Sequence, residues 1–178
     1  MRSNTFARSQ GSASYGLLLK DIDDSEIADN DFVANSVGLY LEDANRNRVH
    51  DNRFRENGWA LRTLASAADN TYERNTFELN AFDVTTNSRQ SVSTFRGNYW
   101  DRYRGYDLDR NGVGDVPHLP VRLFSLVVEQ SPAATLLLRS ILVDLMDLAE
   151  RAFPALTASE IRDDAPLLVR PSSTPRPR

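Results

Sequence analysis

The stretch from Asp107 to Asp115, "DLDRNGVGD", places oxygen donors at alternate positions: Asp107, Asp109, Asn111, the Val113 carbonyl and Asp115. Hard divalent cations such as calcium take six to eight oxygens, and an alternating run that turns sharply at its sixth residue curls them onto one centre. Gly112 holds that sixth position. The stretch reads as the first three-quarters of a calcium loop of EF-hand type, with His118 standing where a bidentate glutamate would close it. Its flanks do not read as paired helices, so a calcium site here needs further ligands from elsewhere. The competing reading is a network of Asx turns held by hydrogen bonds alone.

A second group lies upstream. Asp29, Asp51 and Arg74 share one register of a repeat, and Ala28, His50 and Glu73 share the next. On an exposed strand face, His50, Asp51, Glu73 and Arg74 are the compact set that could act as acids and bases on a polysaccharide. Charged residues on the solvated side of a strand are the commoner outcome, and no residue is assigned a catalytic role.

These residues are positioned by a repeat of about 22 residues. "SEIADNDFVANSVGLYL" is echoed by "NRVHDNRFRENGWALR" and again by "NTYERNTFELNAFDVT". Asn30, Asn52 and Asn75 align, as do Phe32, Phe54 and Phe77, and Asn35, Asn57 and Asn80. Short apolar-alternating pieces punctuated by Asn, Asp and Gly are strand-like, and this period suits one turn of a parallel β-helix. Asparagine tolerates left-handed turns, and its amide can bond along a stack of coils. "SNTF" at Ser3–Phe6 looks like the same element entering from an upstream copy, so the chain reads as a piece of a longer protein.

The fold expectation is an all-β solenoid, a right-handed parallel β-helix with a C-terminal helical tail. Residues 1–95 are expected to form the coils and 96–118 an aromatic and acidic cap, with Phe95, Tyr99, Trp100, Tyr103 and Tyr106 covering the end. Residues 119–165 are expected to form an amphipathic helical tail, and 166–178 a disordered end. In the tail, Leu137, Ile141, Leu145 and Leu148 recur on one face, opposite Ser140, Asp144, Asp147 and Arg151. That apolar strip is a candidate partner-binding surface.

Bulk composition bounds the rest. With 40% hydrophobic and 26% charged residues the 178-residue chain suits a folded protein. The net charge of -4 and the lack of a basic stripe argue against nucleic acid as a partner. No cysteine is present, which excludes thiolate nucleophiles and disulfides.

Asn-rich coils, then "GNYWDRYRGYDLDRNGVGDVPH", then a tail with "VEQSPAA" and "LAERAFPALT" resemble the C-terminal part of the NosD family. The resemblance implies a non-enzymatic periplasmic β-helix. Such a protein works with an ABC transporter (membrane permease and ATPase) and a copper chaperone, supplying copper for the copper–sulfur centre of nitrous oxide reductase. The alternative on the same fold is a carbohydrate-active lyase or hydrolase. Copper is then cargo. Since copper(I) favours imidazole and thioether, the candidate ligands are His50, His118 and Met146, which form no spaced pair.

Overall fold

The computed structural model describes residues 1–88, 92–122, 145 and 161–171. Its strands are short because each spans one side of a coil. They are β1 (Thr5–Ala7), β2 (Tyr15–Lys20), β3 (Glu26–Ala28), β4 (Asp31–Val33), β5 (Val37–Glu42), β6 (Arg48–His50) and β7 (Arg53–Arg55). Then follow β8 (Trp59–Thr63), β9 (Thr71–Glu73), β10 (Thr76–Glu78), β11 (Phe82–Thr86), β12 (Thr94–Arg96) and β13 (Tyr99–Trp100). Three sheets result, ordered β3-β6-β9-β12, β1-β4-β7-β10-β13 and β2-β5-β8-β11. Every pairing within them is parallel and joins equivalent residues of successive coils. The described coils form an all-β solenoid of about four turns.

The aligned phenylalanines fill the centre. Phe6, Phe32, Phe54 and Phe77 stack with ring centroids 5.0, 4.7 and 5.0 Å apart. Trp100 continues the column 4.2 Å beyond Phe77. Each fully buried ring removes enough apolar surface to contribute roughly 1.5–3 kcal/mol. A second column of Ile27, Val49, Tyr72 and Phe95 lines the β3-β6-β9-β12 sheet, and a third of Leu39, Leu61 and Val84 lines the β5-β8-β11 side.

The corners show how the chain turns between sheets. Asp29, Asp51, Arg74 and Gly97 take positive φ (57°, 54°, 49° and 66°), and each immediately precedes a ladder asparagine. Ala34, Glu56 and Leu79 do the same before Asn35, Asn57 and Asn80. The left-handed residue is therefore the one before the asparagine, which corrects the expectation that asparagine itself supplies that turn. The asparagine instead points inward, 0–2% exposed at Asn52, Asn57, Asn75 and Asn98.

There its Oδ1 accepts two N–H groups from the coil before. Asn75 Oδ1 accepts the backbone N–H and the Nδ2–H of Asn52, both at 3.0 Å. Asn75 Nδ2 donates onward to Asn98 Oδ1 at 3.1 Å and back to the Val49 carbonyl at 2.9 Å. The unit repeats at Asn30, Asn52 and Asn98, and along the second corner at Asn35, Asn57 and Asn80.

The C-terminal end corrects three expectations. Phe95 and Trp100 belong to the last coil, within β12 and β13, so the coils run past residue 95. Tyr106 is 57% exposed and is not part of the buried cover. Residues 161–171 are neither helical nor a loose end, because residues 161–168 lie across the last coil and act as its next turn. Asp163 bridges Phe95 and Leu167 bridges Tyr99, both parallel. Leu167 N–H donates to the Asn98 carbonyl at 2.9 Å, as Tyr99 N–H does to Asn75 one coil earlier. The remainder of the proposed tail, including Leu137, Ile141, Met146 and Leu148, lies outside the described residues.

Two substitutions test this packing by urea unfolding. Asn75→Ala strips partners from Asn52 and from the Val49 carbonyl inside the core, and should cost about 3 kcal/mol or more. Leu79, 68% exposed at φ 55°, gains little from its side chain, so Leu79→Gly should stabilise by about 1 kcal/mol through relief of the left-handed turn.

Candidate functional site

Of the register set, His50, Asp51 and Arg74 come together at the corner after β6, while Glu73 pairs elsewhere. The cluster recruits two residues that the sequence reading overlooked, Arg2 and Glu26. His50 is buried, with Nδ1 2.6 Å from Asp51 Oδ2 and Nε2 2.7 Å from Glu26 Oε1. Arg2 clamps Glu26 and Arg74 clamps Asp51, each through two nitrogens. The Arg2 and His50 hydrogen bonds hold the Glu26 carboxyl down at about 2. For Asp51 burial pushes the other way, but Arg74 and His50 outweigh it and the net shift is downward.

Glu73 is engaged separately, by Arg48 at 3.2 Å. A general acid or base must be free to reach the proton it transfers. Here the carboxylates are committed to cations, and the chain Arg2–Glu26–His50–Asp51–Arg74 joins successive coils edge to edge. That geometry favours a structural clasp over a catalytic set.

His50 and His118 are far apart along the axis. His50 lies on β6, whereas His118 sits beyond the last coil, its ring 4.9 Å from Trp100 and 5.8 Å from Tyr103. His118 and Asp163 also exchange backbone hydrogen bonds in both directions, at 2.9 Å. Burial holds the His118 imidazole well below its ordinary range, at about 4, with the Arg122 cation adding to the effect. The two histidines are thus not brought together as a copper site. Leu145, one of the proposed partner-binding residues, is 56% exposed.

The acidic loop projects from this end. Asp107, Asp109 and Asp115 bring carboxylate oxygens within 4.8 Å of one another. Asp107 accepts the N–H groups of Asn111 (3.1 Å) and Gly112 (2.8 Å), and Asp115 accepts that of Leu108 at 2.7 Å. Asn111 donates to Asp109 and accepts from Val113 N–H, while Val113 pairs with Leu167 of the cap. The base of the loop closes around Tyr103, whose hydroxyl donates to the Val116 carbonyl at 2.7 Å. A Cβ on Gly105 or Gly114 would collide with that ring, which is why glycine stands at both places.

Asp163 is the residue that organises the end. Fully buried, it accepts N–H groups from Gly97, Asn98, Ala165, the Asn98 amide and the Trp100 indole, at 2.9–3.1 Å. It occupies the place that the next asparagine of the ladder would fill. The second ladder ends on Asp83, whose Oδ1 accepts from Asn80 Nδ2 at 3.2 Å. Arg102 takes the carbonyls of Asn80 and Ala81 at 2.6 and 3.2 Å.

A family profile described as "Periplasmic copper-binding protein (NosD)" matches residues 1–105, the coils and the start of the cap. The chain belongs to the NosD family. Over 127 residues it is 32% identical to the "Probable ABC transporter binding protein NosD" of Pseudomonas aeruginosa, covering 70% of this chain and 30% of that protein. To the protein of the same description from Stutzerimonas stutzeri it is 26% identical over 122 residues, covering 67% and 28%. This NosD-family chain therefore spans about 30% of the length of those relatives. The family description is of a periplasmic, copper-binding protein. Among the described residues, no helix is long and apolar enough to cross a membrane.

The end of the solenoid should titrate in two opposed ways. Burial raises the Asp83 carboxyl to about 6, with Arg102 pulling it back and Asp101 pushing it further up. A raised acid gains stability as pH falls from about 6 towards 4. A histidine depressed to about 4 loses stability as pH falls from about 6.5 through the same window. The wild-type profile between pH 7 and 4.5 should therefore be flat from these groups. Asp83→Asn should expose a loss of about 1–3 kcal/mol towards the acid side, and His118→Phe a gain, measured by urea unfolding at each pH.

Proposed function

We propose that this chain is part of a non-enzymatic accessory protein that works with an ABC transporter to supply copper for the copper–sulfur centre of nitrous oxide reductase. The observation that carries the reading is its 32% identity, over 70% of its length, to a protein described as an ABC transporter binding protein NosD. The described surface is consistent with it. The acid–base set around His50 is tied into ion pairs across coils, as a scaffold requires. The transporter permease with its ATPase, a copper chaperone and the reductase are the proposed partners, and copper is cargo rather than a resident ion. On the acidic loop, calcium is the proposed ligand, held by Asp107, Asp109, Asn111, Asp115 and the Val113 carbonyl.

The apolar strip of Leu137, Ile141, Leu145 and Leu148 is the proposed contact with the permease. Replacing Ile141 and Leu145 with aspartate in the full-length protein, co-expressed with the permease, should abolish co-purification and leave the unfolding midpoint of the coils unchanged. Retained co-purification with a large fall in melting temperature would assign the strip to the fold instead. Full copper loading of the reductase in cells lacking the full-length protein would defeat the functional reading itself.

A further inference from the structure

Asparagine followed by glycine is chemically labile, because the glycine nitrogen, unhindered by a Cβ, can attack the asparagine side chain and close a five-membered ring. The chain contains two such pairs, Asn57–Gly58 and Asn111–Gly112. They are placed very differently. Asn57 is 2% exposed, its amide donates to the Phe32 carbonyl and to Asn80 Oδ1, and Gly58 N–H donates to the Asn35 carbonyl at 2.9 Å. Moving that side chain onto Gly58 would break two rungs of a buried ladder. Asn111 stands exposed in the acidic loop, and around Gly112 nothing lies within 4 Å of where a Cβ would be.

Three polar atoms of the second pair already face groups of suitable polarity. The nucleophile, Gly112 N–H, donates to Asp107 Oδ2 at 2.8 Å. The side-chain carbonyl oxygen of Asn111, where negative charge would develop, accepts the Val113 N–H at 2.7 Å. The leaving nitrogen, Asn111 Nδ2, lies 2.8 Å from Asp109 Oδ2. An N–H aimed at a developing oxyanion and a carboxylate beside the nucleophile are the elements that lower the barrier of acyl transfer.

We propose that Asn111 is a site of self-modification, deamidating through a cyclic imide with Gly112. The Gly112 nitrogen bonds to Asn111 Cγ and gives its proton to Asp107. The Cγ–Nδ2 bond then breaks, and the proton passes from Asp107 to the departing nitrogen, which leaves as ammonia. Water opens the imide at either carbonyl and yields aspartate or isoaspartate. The sum is amide plus water to carboxylic acid plus ammonia, with no oxidant or other reagent. The product adds a carboxylate beside Asp107, Asp109 and Asp115, so the loop gains negative charge with age.

The test is peptide mapping by mass spectrometry of the purified full chain, held for weeks at neutral to mildly alkaline pH, alongside the same chain in denaturing urea. The expected result is conversion at Asn111 to a mixture of aspartate and isoaspartate. It should be severalfold faster than in urea and severalfold slower in Asp107→Asn, while Asn57 stays intact in the folded chain. In urea the two asparagines should convert at similar rates, the control for sequence alone. Conversion of Asn111 no faster folded than unfolded would overturn the proposal. So would an Asp107→Asn rate equal to wild type in a chain whose coils remain folded.

Discussion

Everything in this chain hangs on a buried amide that accepts two N–H groups from one coil and donates to the next. A parallel solenoid must turn its backbone at each corner within one or two residues, and here non-glycine residues make those turns in the left-handed region. Each such residue costs about 1–2 kcal/mol, and Asp51, Arg74, Glu56 and Leu79 all accept that strain. The asparagine that follows opposes it. Its side chain occupies the gap between coils and satisfies groups that the sheets leave unpaired, so the corner holds its shape where water cannot reach.

A ladder of this kind has no natural end, so the last coil needs residues that stop it. Asp163 and Asp83 terminate these ladders because a carboxylate accepts without having to donate onward, while a shorter one runs through Asn47 and Asn70 at the third corner. Arg102 does the converse for two carbonyls. The paired backbones of His118 and Asp163 also fix where the chain leaves this end after residue 122 and where it returns at Ile161. The cap and the acidic loop are thus mounted on the face of the solenoid that cannot accept another coil of the same kind.

The coils were legible in the sequence because stacking demands identical residues at equal spacing. Phe32, Phe54 and Phe77 announce the core column, and Asn30, Asn52 and Asn75 the ladder, before any coordinates are known. The cap was only half legible, because a terminator need not resemble what it terminates. Trp100 continues the phenylalanine column, yet as a different aromatic in a glycine-rich block it reads as a cover. Asp163 acts as the next asparagine some 65 residues beyond Asn98, in a stretch that the sequence reads as the close of a helical tail. The apolar Ile161 and Leu167 around it were the available hint. The clasp at His50 was partly legible: register placed His50 beside Glu73, but the bond runs diagonally to Glu26, which register alone does not show.

The central claim is that Asp163 closes the first ladder by acting as its missing asparagine. Native-state hydrogen exchange of the Gly97, Asn98 and Asn75 backbone amides, in the wild-type chain and in Asp163→Ala, tests it most directly. The account predicts that the substitution abolishes protection at Gly97 and Asn98 and lowers it at Asn75, while Asn30 and Asn52, deeper in the stack, keep theirs. Unchanged protection at Gly97 and Asn98 would show that the ladder ends without Asp163 and would contradict the claim.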